Sequence, residues 1–297
     1  MIGKNGQLAW ELVRSKPQGW HVTAVGREEF DITHRHSVAS IFEQSRPDII
    51  INSAAYTAVD RAEQATEEAY LLNEAAVAEL ASHAKNFGAS FIQLSTDFVF
   101  DGKKSEPYDS MDAPSPLNVY GHSKLAGERA LFASEVKSSV VIRTSWVYSC
   151  HGSNFVKTML RLMAERDSLG VVSDQVGSPT WANGLAKAVW TVAGHMANSQ
   201  VPSKPEIFHW ADAGVASWYD FATAIQEIAL DKGILQRPTE IRPISQKEYP
   251  TPAQRPSYSV LDKSKLEQTF NFPAKHWRTQ LTLMLDEYKE LSKRGAY

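Results

Sequence analysis

Tyr120 and Lys124 stand four residues apart in Tyr120-Gly121-His122-Ser123-Lys124, a spacing that sets a phenol and an ammonium on one face of a helix. A phenol with an ordinary pKa of about 10 is a weak acid–base group near neutral pH. A cation beside it favours the phenolate, so the pair suits proton transfer to or from a carbonyl oxygen. A third group comes from Gln93-Leu94-Ser95-Thr96-Asp97, where an apolar run ends and the Thr96 hydroxyl would meet the carboxyl edge of a sheet. At the other end of the chain, Gly3-Lys4-Asn5-Gly6-Gln7-Leu8-Ala9 has glycines that let backbone approach a pyrophosphate. The helix opening at Gln7 and Leu8 would add free N–H groups and a positive dipole end. A plain loop and helix cap is the alternative reading of that G-x-x-G-x-x-A run.

Such a turn should follow a strand of about five residues, yet only Met1 and Ile2 precede Gly3. Either the start lies upstream of Met1 or the central strand is truncated. Further on come Gly26-Arg27 and Asp31-Ile32. An acidic residue after the second strand suits a ribose 2′-hydroxyl, whereas an arginine accepts a 2′-phosphate. Arg27 therefore leans toward NADPH with NADH as a second donor; a solvated surface arginine is the other reading.

Positioning these groups requires alternating elements. Residues 21–25, 48–52, 90–94 and 140–144 are short apolar or β-branched runs bounded by turn signals, the pattern of buried strands. Residues 7–15, 37–44, 66–87 and 118–132 carry apolar residues at helical spacing. The alternation predicts an α/β fold, a Rossmann-like doubly wound parallel sheet, over residues 1–150. Residues 151–297 are expected to form mainly a smaller C-terminal substrate-binding lobe, with segments returning to the sheet. There, helices are expected at 154–165, 181–195, 217–232 and 277–292, and strands at 171–172 and 207–210. Prolines and turn residues cluster between 237 and 256, and the site is expected in the cleft between the lobes.

Composition narrows the function classes. The chain has 297 residues, 31 Lys and Arg against 34 Asp and Glu, and a formal charge of −3. That balance offers no footprint for nucleic acid or an anionic membrane. No apolar run approaches the roughly 20 residues of a membrane span, and the N-terminus has no leader pattern, so a cytoplasmic protein is expected. The single cysteine, Cys150, excludes an intramolecular disulfide and a multi-cysteine metal site.

In order along the chain, the glycine turn, Ser95-Thr96 and Tyr120-x-x-x-Lys124 resemble the extended short-chain dehydrogenase/reductases. Longer motifs narrow the resemblance: residues 52–63, 94–102, 115–128, 143–148 (Arg-Thr-Ser-Trp-Val-Tyr), 174–180 (Asp-Gln-Val-Gly-Ser-Pro-Thr) and 249–256 (Tyr-Pro-Thr-Pro-Ala-Gln-Arg-Pro). Together they are similar to the dTDP-4-dehydrorhamnose reductase family from Gly3 to about Lys265. The resemblance implies that Tyr120 protonates the C4 keto oxygen of a dTDP-sugar while NAD(P)H delivers hydride. Lys124 would bind the nicotinamide ribose and lower the Tyr120 pKa, and Thr96 and Asp97 would face the sugar. Ala54, Ala55 and Tyr56 would pass along the cofactor, with Thr57 and Val59 on the sugar side; strand-end packing is the alternative for all five. Trp146, by spacing alone a core residue, would by resemblance lie against the sugar nucleotide. Asn154, Lys157 and Arg255 would serve the diphosphate, Lys157 being equally readable as a solvated helix residue.

Some relatives hold magnesium with glutamates at a dimer contact. Glu11 matches one such position but Asn183 stands at another, so no metal is expected, and a homodimer remains open. Two alternatives accompany this reading: an NDP-sugar epimerase or dehydratase with tightly held NAD, and a non-catalytic homologue resembling the regulatory subunit of methionine adenosyltransferase. The second would need neither the 174–180 nor the 249–256 motif.

Overall fold

Successive side chains on a strand point to opposite faces, so a strand apolar at every position needs cover on both sides. In a computed structural model, which describes residues 1–136, 138–198 and 204–294, Ile49–Asn52, Ser90–Thr96, Ser139–Thr144 and Glu206–His209 pair in that order, all in parallel. Ile50, Phe91 and Val141 pack on one face with Phe42 of the Arg35–Ser45 helix, Leu80 of Ala76–Phe87 and Leu131 of Val119–Ala133. Their neighbours Ile51, Ile92 and Ile142 go to the other face, against Leu12 of Gln7–Arg14 and Val189 of Ala182–Ala197. Helices on both faces of a parallel sheet make the doubly wound, Rossmann-like architecture.

The sheet continues past Ile49–Asn52 through a single residue. Ile2 bridges Asn52 on one side and Val25 on the other, both in parallel. Its N–H donates to the Ile51 carbonyl at 2.9 Å, and Val25 N–H donates to the Met1 carbonyl at 3.0 Å. The strand expected at residues 21–25 does not form; within it only Val25 enters the ladder. Met1 N–H donates to the Thr23 carbonyl at 2.8 Å.

The long helix expected at 66–87 is three pieces, Thr66–Tyr70, a π-helical turn Leu71–Ala75, and Ala76–Phe87. The widened turn brings the Asn73 carbonyl onto Gly127 of the Val119–Ala133 helix, where a Cβ would lie 1.9 Å away. Such bulges cost helix regularity and persist where they place a side chain, here Asn73.

The second half of the chain does not stay apart. Glu206–His209 is the fourth strand of the sheet and Ala182–Ala197 one of its covering helices. The remainder builds a second core from Tyr148, Met159, Phe221, Trp277 and Leu281. Ser168–Val172 pairs there in parallel with Glu240–Ile244, a strand inside the proline-rich segment that sequence reads as turns. Pro243 is admissible because that strand lies at the edge of a two-stranded sheet. Among the described residues no helix is long and apolar enough to cross a membrane.

Candidate active site

A cleft of about 1050 Å³ opens at the carboxyl ends of the sheet strands. Its wall brings together Gly3, Gly6, Gln7, Leu8, Arg27, Asp31, Ile32, Ala54, Ala55, Tyr56, Thr57, Val59, Thr96, Asp97, Tyr120, Lys124 and Trp146. Three expected site residues, Asn154, Lys157 and Arg255, are not on that wall.

At its centre, Thr96 ends the Ser90–Thr96 strand and lies in register with Thr144 on the next strand. Tyr120 comes from the first turn of Val119–Ala133, whose start is fixed by two bonds. Asn118 Oδ1 accepts from Gly121 N–H at 2.8 Å, and Glu63 Oε1 accepts from Val119 N–H at 2.9 Å. Gly121 has to be glycine, because a Cβ there would sit 2.2 Å from the Phe98 carbonyl oxygen. That close approach sets Tyr120 edge-on to the Phe98 ring, 5.6 Å between centroids. Burial pushes the Tyr120 phenol up to about 12, offset in part by the neighbouring Thr96 hydroxyl. The phenol therefore carries its proton at neutral pH, the form a proton donor needs.

Lys124 lies one turn further on, and its Nζ donates to the Leu94 carbonyl at 2.7 Å. Burial lowers its pKa from 10.5 to about 8, opposed by the Glu128 carboxylate. The lowering of the Tyr120 pKa expected from Lys124 is not seen: burial and the Asp97 carboxylate raise it, and only Thr96 opposes them. Glu128 itself is bound in two-pronged fashion by the buried Arg143, at 3.0 and 2.7 Å, and accepts from Ser95 Oγ. These bonds lock the Val119–Ala133 helix to the Ser90–Thr96 and Ser139–Thr144 strands. Asp97 is buried, accepts from Thr96 Oγ1 at 3.1 Å, and is pushed up to about 6 by burial. Asn73 adds a cross-brace: it accepts from Tyr56 N–H and donates to Tyr56 O and Ser123 Oγ, and Ser123 Oγ donates to the Tyr120 carbonyl.

The other end of the cleft fits a dinucleotide. Gly3 has φ +95°, and a Cβ there would lie 2.9 Å from Ala54 N. A side chain is thus excluded where backbone must approach a phosphate. Gly6 caps Gln7–Arg14 with no side-chain bond, leaving the helix N–H groups for an anion. Asp31 is held below the usual carboxylate range, chiefly by the Thr33 hydroxyl at 2.7 Å. Lys4 pairs with Glu29, while Arg27 is exposed at the rim.

The opposite end holds a group the sequence did not reveal. Trp146 adopts φ +48°, and its ring lies flat on Trp218, 3.5 Å between centroids. Gly177 touches the Trp146 ring, where a Cβ would be 2.7 Å away. Trp218 Nε1–H donates to Gln175 Oε1 at 3.1 Å. Trp218, Gly152 and Ser153 all line the cleft; the only signal for Trp218 is its place after Ser217, which caps a helix.

The three residues off the wall have other partners. Asn154 caps Phe155–Glu165 and donates to Gln7 Oε1 at 2.9 Å, tying the second core to the glycine turn. Lys157 Nζ donates to the Cys150 carbonyl at 3.3 Å. Arg255 grips Asp60 with both Nη atoms, at 3.0 and 2.7 Å. Glu11 is buried and accepts from Asn183 Nδ2 at 2.9 Å. Among the described residues no group of three or more His, Cys, Asp or Glu is placed to hold a metal.

A glycine turn at one end of a parallel sheet's carboxyl edge and Thr96, Tyr120 and Lys124 at the other define a short-chain dehydrogenase/reductase architecture. The chain belongs to the family described as the RmlD substrate binding domain, whose model matches residues 1–290. It is 44% identical over 277 residues to a dTDP-4-dehydrorhamnose reductase of Sinorhizobium fredii, covering 93% of each chain. The crystal structure of a dTDP-4-dehydrorhamnose reductase from Clostridium acetobutylicum superposes with TM-score 0.89 at 36% identity, covering 97% of this chain and 98% of that one. The enzyme of the same name from Bacillus anthracis, solved in complex with NADP, gives 0.88 at 33%, covering 96% and 97%.

Proposed function

We propose that this protein reduces the C4 keto group of dTDP-4-dehydro-L-rhamnose to dTDP-L-rhamnose, using NADPH with NADH as a second donor. The observation that carries the reading is the convergence of Tyr120, Thr96 and Lys124 on one wall of a cleft whose far end is the Gly3–Gly6 turn. Likeness to the named reductases over nearly the whole length of both chains supports the substrate.

Bound along the cleft, the nicotinamide nucleotide supplies the hydride. Gly3, Gly6, Gln7 and Leu8 hold its pyrophosphate, Arg27, Asp31 and Ile32 its adenosine end, and Ala54, Ala55 and Tyr56 the span between. Lys124, anchored on Leu94 O, presents its remaining N–H groups to the nicotinamide ribose. Tyr120 Oη gives its proton to the C4 oxygen as that oxygen gains negative charge, and Thr96 Oγ1 orients the same oxygen. Asp97, Thr57 and Val59 face the sugar, and the stacked Trp146–Trp218 pair closes its far side. Asn154 and Lys157 act from behind the wall, steadying the glycine turn and the 149–154 segment. A homodimer belongs to the same reading, supported by exposed Val13 and Leu283 on two helices joined by the Arg14–Glu287 ion pair. A cytoplasmic location belongs to the same reading.

The direct test is NADPH oxidation with dTDP-4-dehydro-L-rhamnose as the sole acceptor. Stoichiometric formation of dTDP-L-rhamnose is expected; oxidation without that product, or none at all, would overturn the assignment.

A further inference from the structure

Five polar links close a ring around the start of the catalytic helix. Glu63, just past the Val59–Ala62 helix, accepts from Val119 N–H at 2.9 Å. Asn118, the residue that caps the catalytic helix, donates from Nδ2 to the Gln254 carbonyl at 2.7 Å. The 251–256 loop is then carried back to Val59–Ala62 by Asp60. Its Oδ1 accepts from Ala253 N–H at 3.2 Å, and its two oxygens accept from Arg255 Nη1 and Nη2 at 3.0 and 2.7 Å. Arg255 Nη1 also reaches the Ala253 carbonyl at 3.3 Å and the Thr251 hydroxyl, so the same guanidinium folds its own loop. Asp60 is held below the usual carboxylate range, chiefly by Arg255. The loop is seated from beneath as well: Gly102, at φ +75°, lies so close to Pro256 that a Cβ would be 2.7 Å away.

We propose that Arg255 is a positioning residue acting through Asp60: the two-pronged pair closes the 251–256 loop onto the Val59–Ala62 helix and so fixes the helix turn that carries Tyr120. The diphosphate role that the sequence suggests for Arg255 passes to other groups, since its guanidinium lies off the cleft wall with both Nη atoms committed to Asp60. The geometry is suited to this. A bidentate Arg–carboxylate pair fixes orientation as well as distance, and a misplacement of about 1 Å at a reacting group can reduce turnover roughly 100-fold. This inference rests on the reading of Tyr120 as the proton donor.

The test uses the full-length protein with Asp60→Asn, Arg255→Gln and the double variant in a mutant cycle, with Arg255→Lys as the conservative change. Turnover with NADPH, the inhibition constant of thymidine diphosphate, and hydrogen exchange of peptides covering residues 115–123 and 249–258 are measured on each. Both single variants should lose turnover roughly 10- to 100-fold, and the double variant no more than the worse single one. Exchange should rise in both peptides together, and thymidine diphosphate should bind within about threefold of wild type, with Arg255→Lys intermediate in turnover and exchange. The proposal is overturned if Arg255→Gln weakens thymidine diphosphate tenfold or more while Asp60→Asn does not. Additive losses, or unchanged exchange at residues 115–123, overturn it equally. If the wild type fails to reduce the sugar, the functional reading falls, while the exchange and inhibitor measurements still decide the role of Arg255.

Discussion

Lys124→Met removes a buried ammonium while leaving an unbranched apolar stem in its place, and its effect on stability follows from the site. Burial lowers the Lys124 pKa from 10.5 to about 8, so the folded protein holds that charge at neutral pH against a penalty of about 3 kcal/mol. The Leu94 carbonyl loses one donor but keeps another, since Gln93 Nε2 donates to it at 2.8 Å. The variant should therefore be more stable as turnover collapses; at about 2 °C per kcal/mol for a chain of this size, its Tm should rise by roughly 3–6 °C at pH 7. The sign with pH is definite. Lys124 is depressed in the folded state, so from about pH 8 to 10.5 the unfolded chain retains a proton that the folded chain has released. Wild-type stability gains from this residue across that window, and the variant has no such gain. Thermal unfolding by circular dichroism at pH 7, 8, 9 and 10, without nucleotide, should show a difference that is largest at pH 7 and closes toward pH 10. An equal or lower Tm for the variant at pH 7, or a difference independent of pH, would refute the reasoning.

Two other substitutions probe the ends of the cleft. Arg27→Ala should raise the KM for NADPH roughly 10- to 150-fold, through loss of about 1.5–3 kcal/mol of charge-assisted bonding, and leave NADH nearly unchanged; equal weakening of both would make Arg27 structural. Gly177→Ala places a Cβ 2.7 Å from the Trp146 ring. Overpacking of about 1–3 kcal/mol should appear as a KM for the sugar nucleotide raised roughly 5- to 150-fold, with NADPH affinity unchanged in a fluorescence titration; an unaltered KM would remove Trp146 from the sugar site.

The sheet and most of its helices were legible because strands such as Ile49–Asn52 and Ser139–Thr144 carry unbroken apolar runs, Ile49 to Ile51 and Val140 to Ile142, a pattern that two-sided cover satisfies. The central cluster was legible for a related reason: Thr96 ends a strand and Tyr120 begins a capped helix, both local features. What escaped depends on contacts distant in sequence. Residues 21–25 have the composition of a strand but lack ladder partners beyond Val25. The π-helical turn at Leu71–Ala75 answers the close passage of Gly127, 52 to 56 positions on, which no local propensity encodes. Trp218 reaches the cleft by stacking on Trp146 across 72 positions. Arg255 was placed at the diphosphate from its charge and its prolines, whereas its partner, Asp60, lies 195 positions away.

The central claim is that Tyr120 delivers the proton, and turnover of Tyr120→Phe with saturating NADPH and dTDP-4-dehydro-L-rhamnose measures it directly. The substitution keeps the ring against Phe98 and removes only the hydroxyl, so packing and NADPH affinity should persist. A positioned general acid contributes about 10²- to 10⁴-fold, so turnover should fall by that order. Retention of more than about a tenth of wild-type turnover, less than the smallest loss expected of such an acid, would mean that the proton reaches the C4 oxygen from another group.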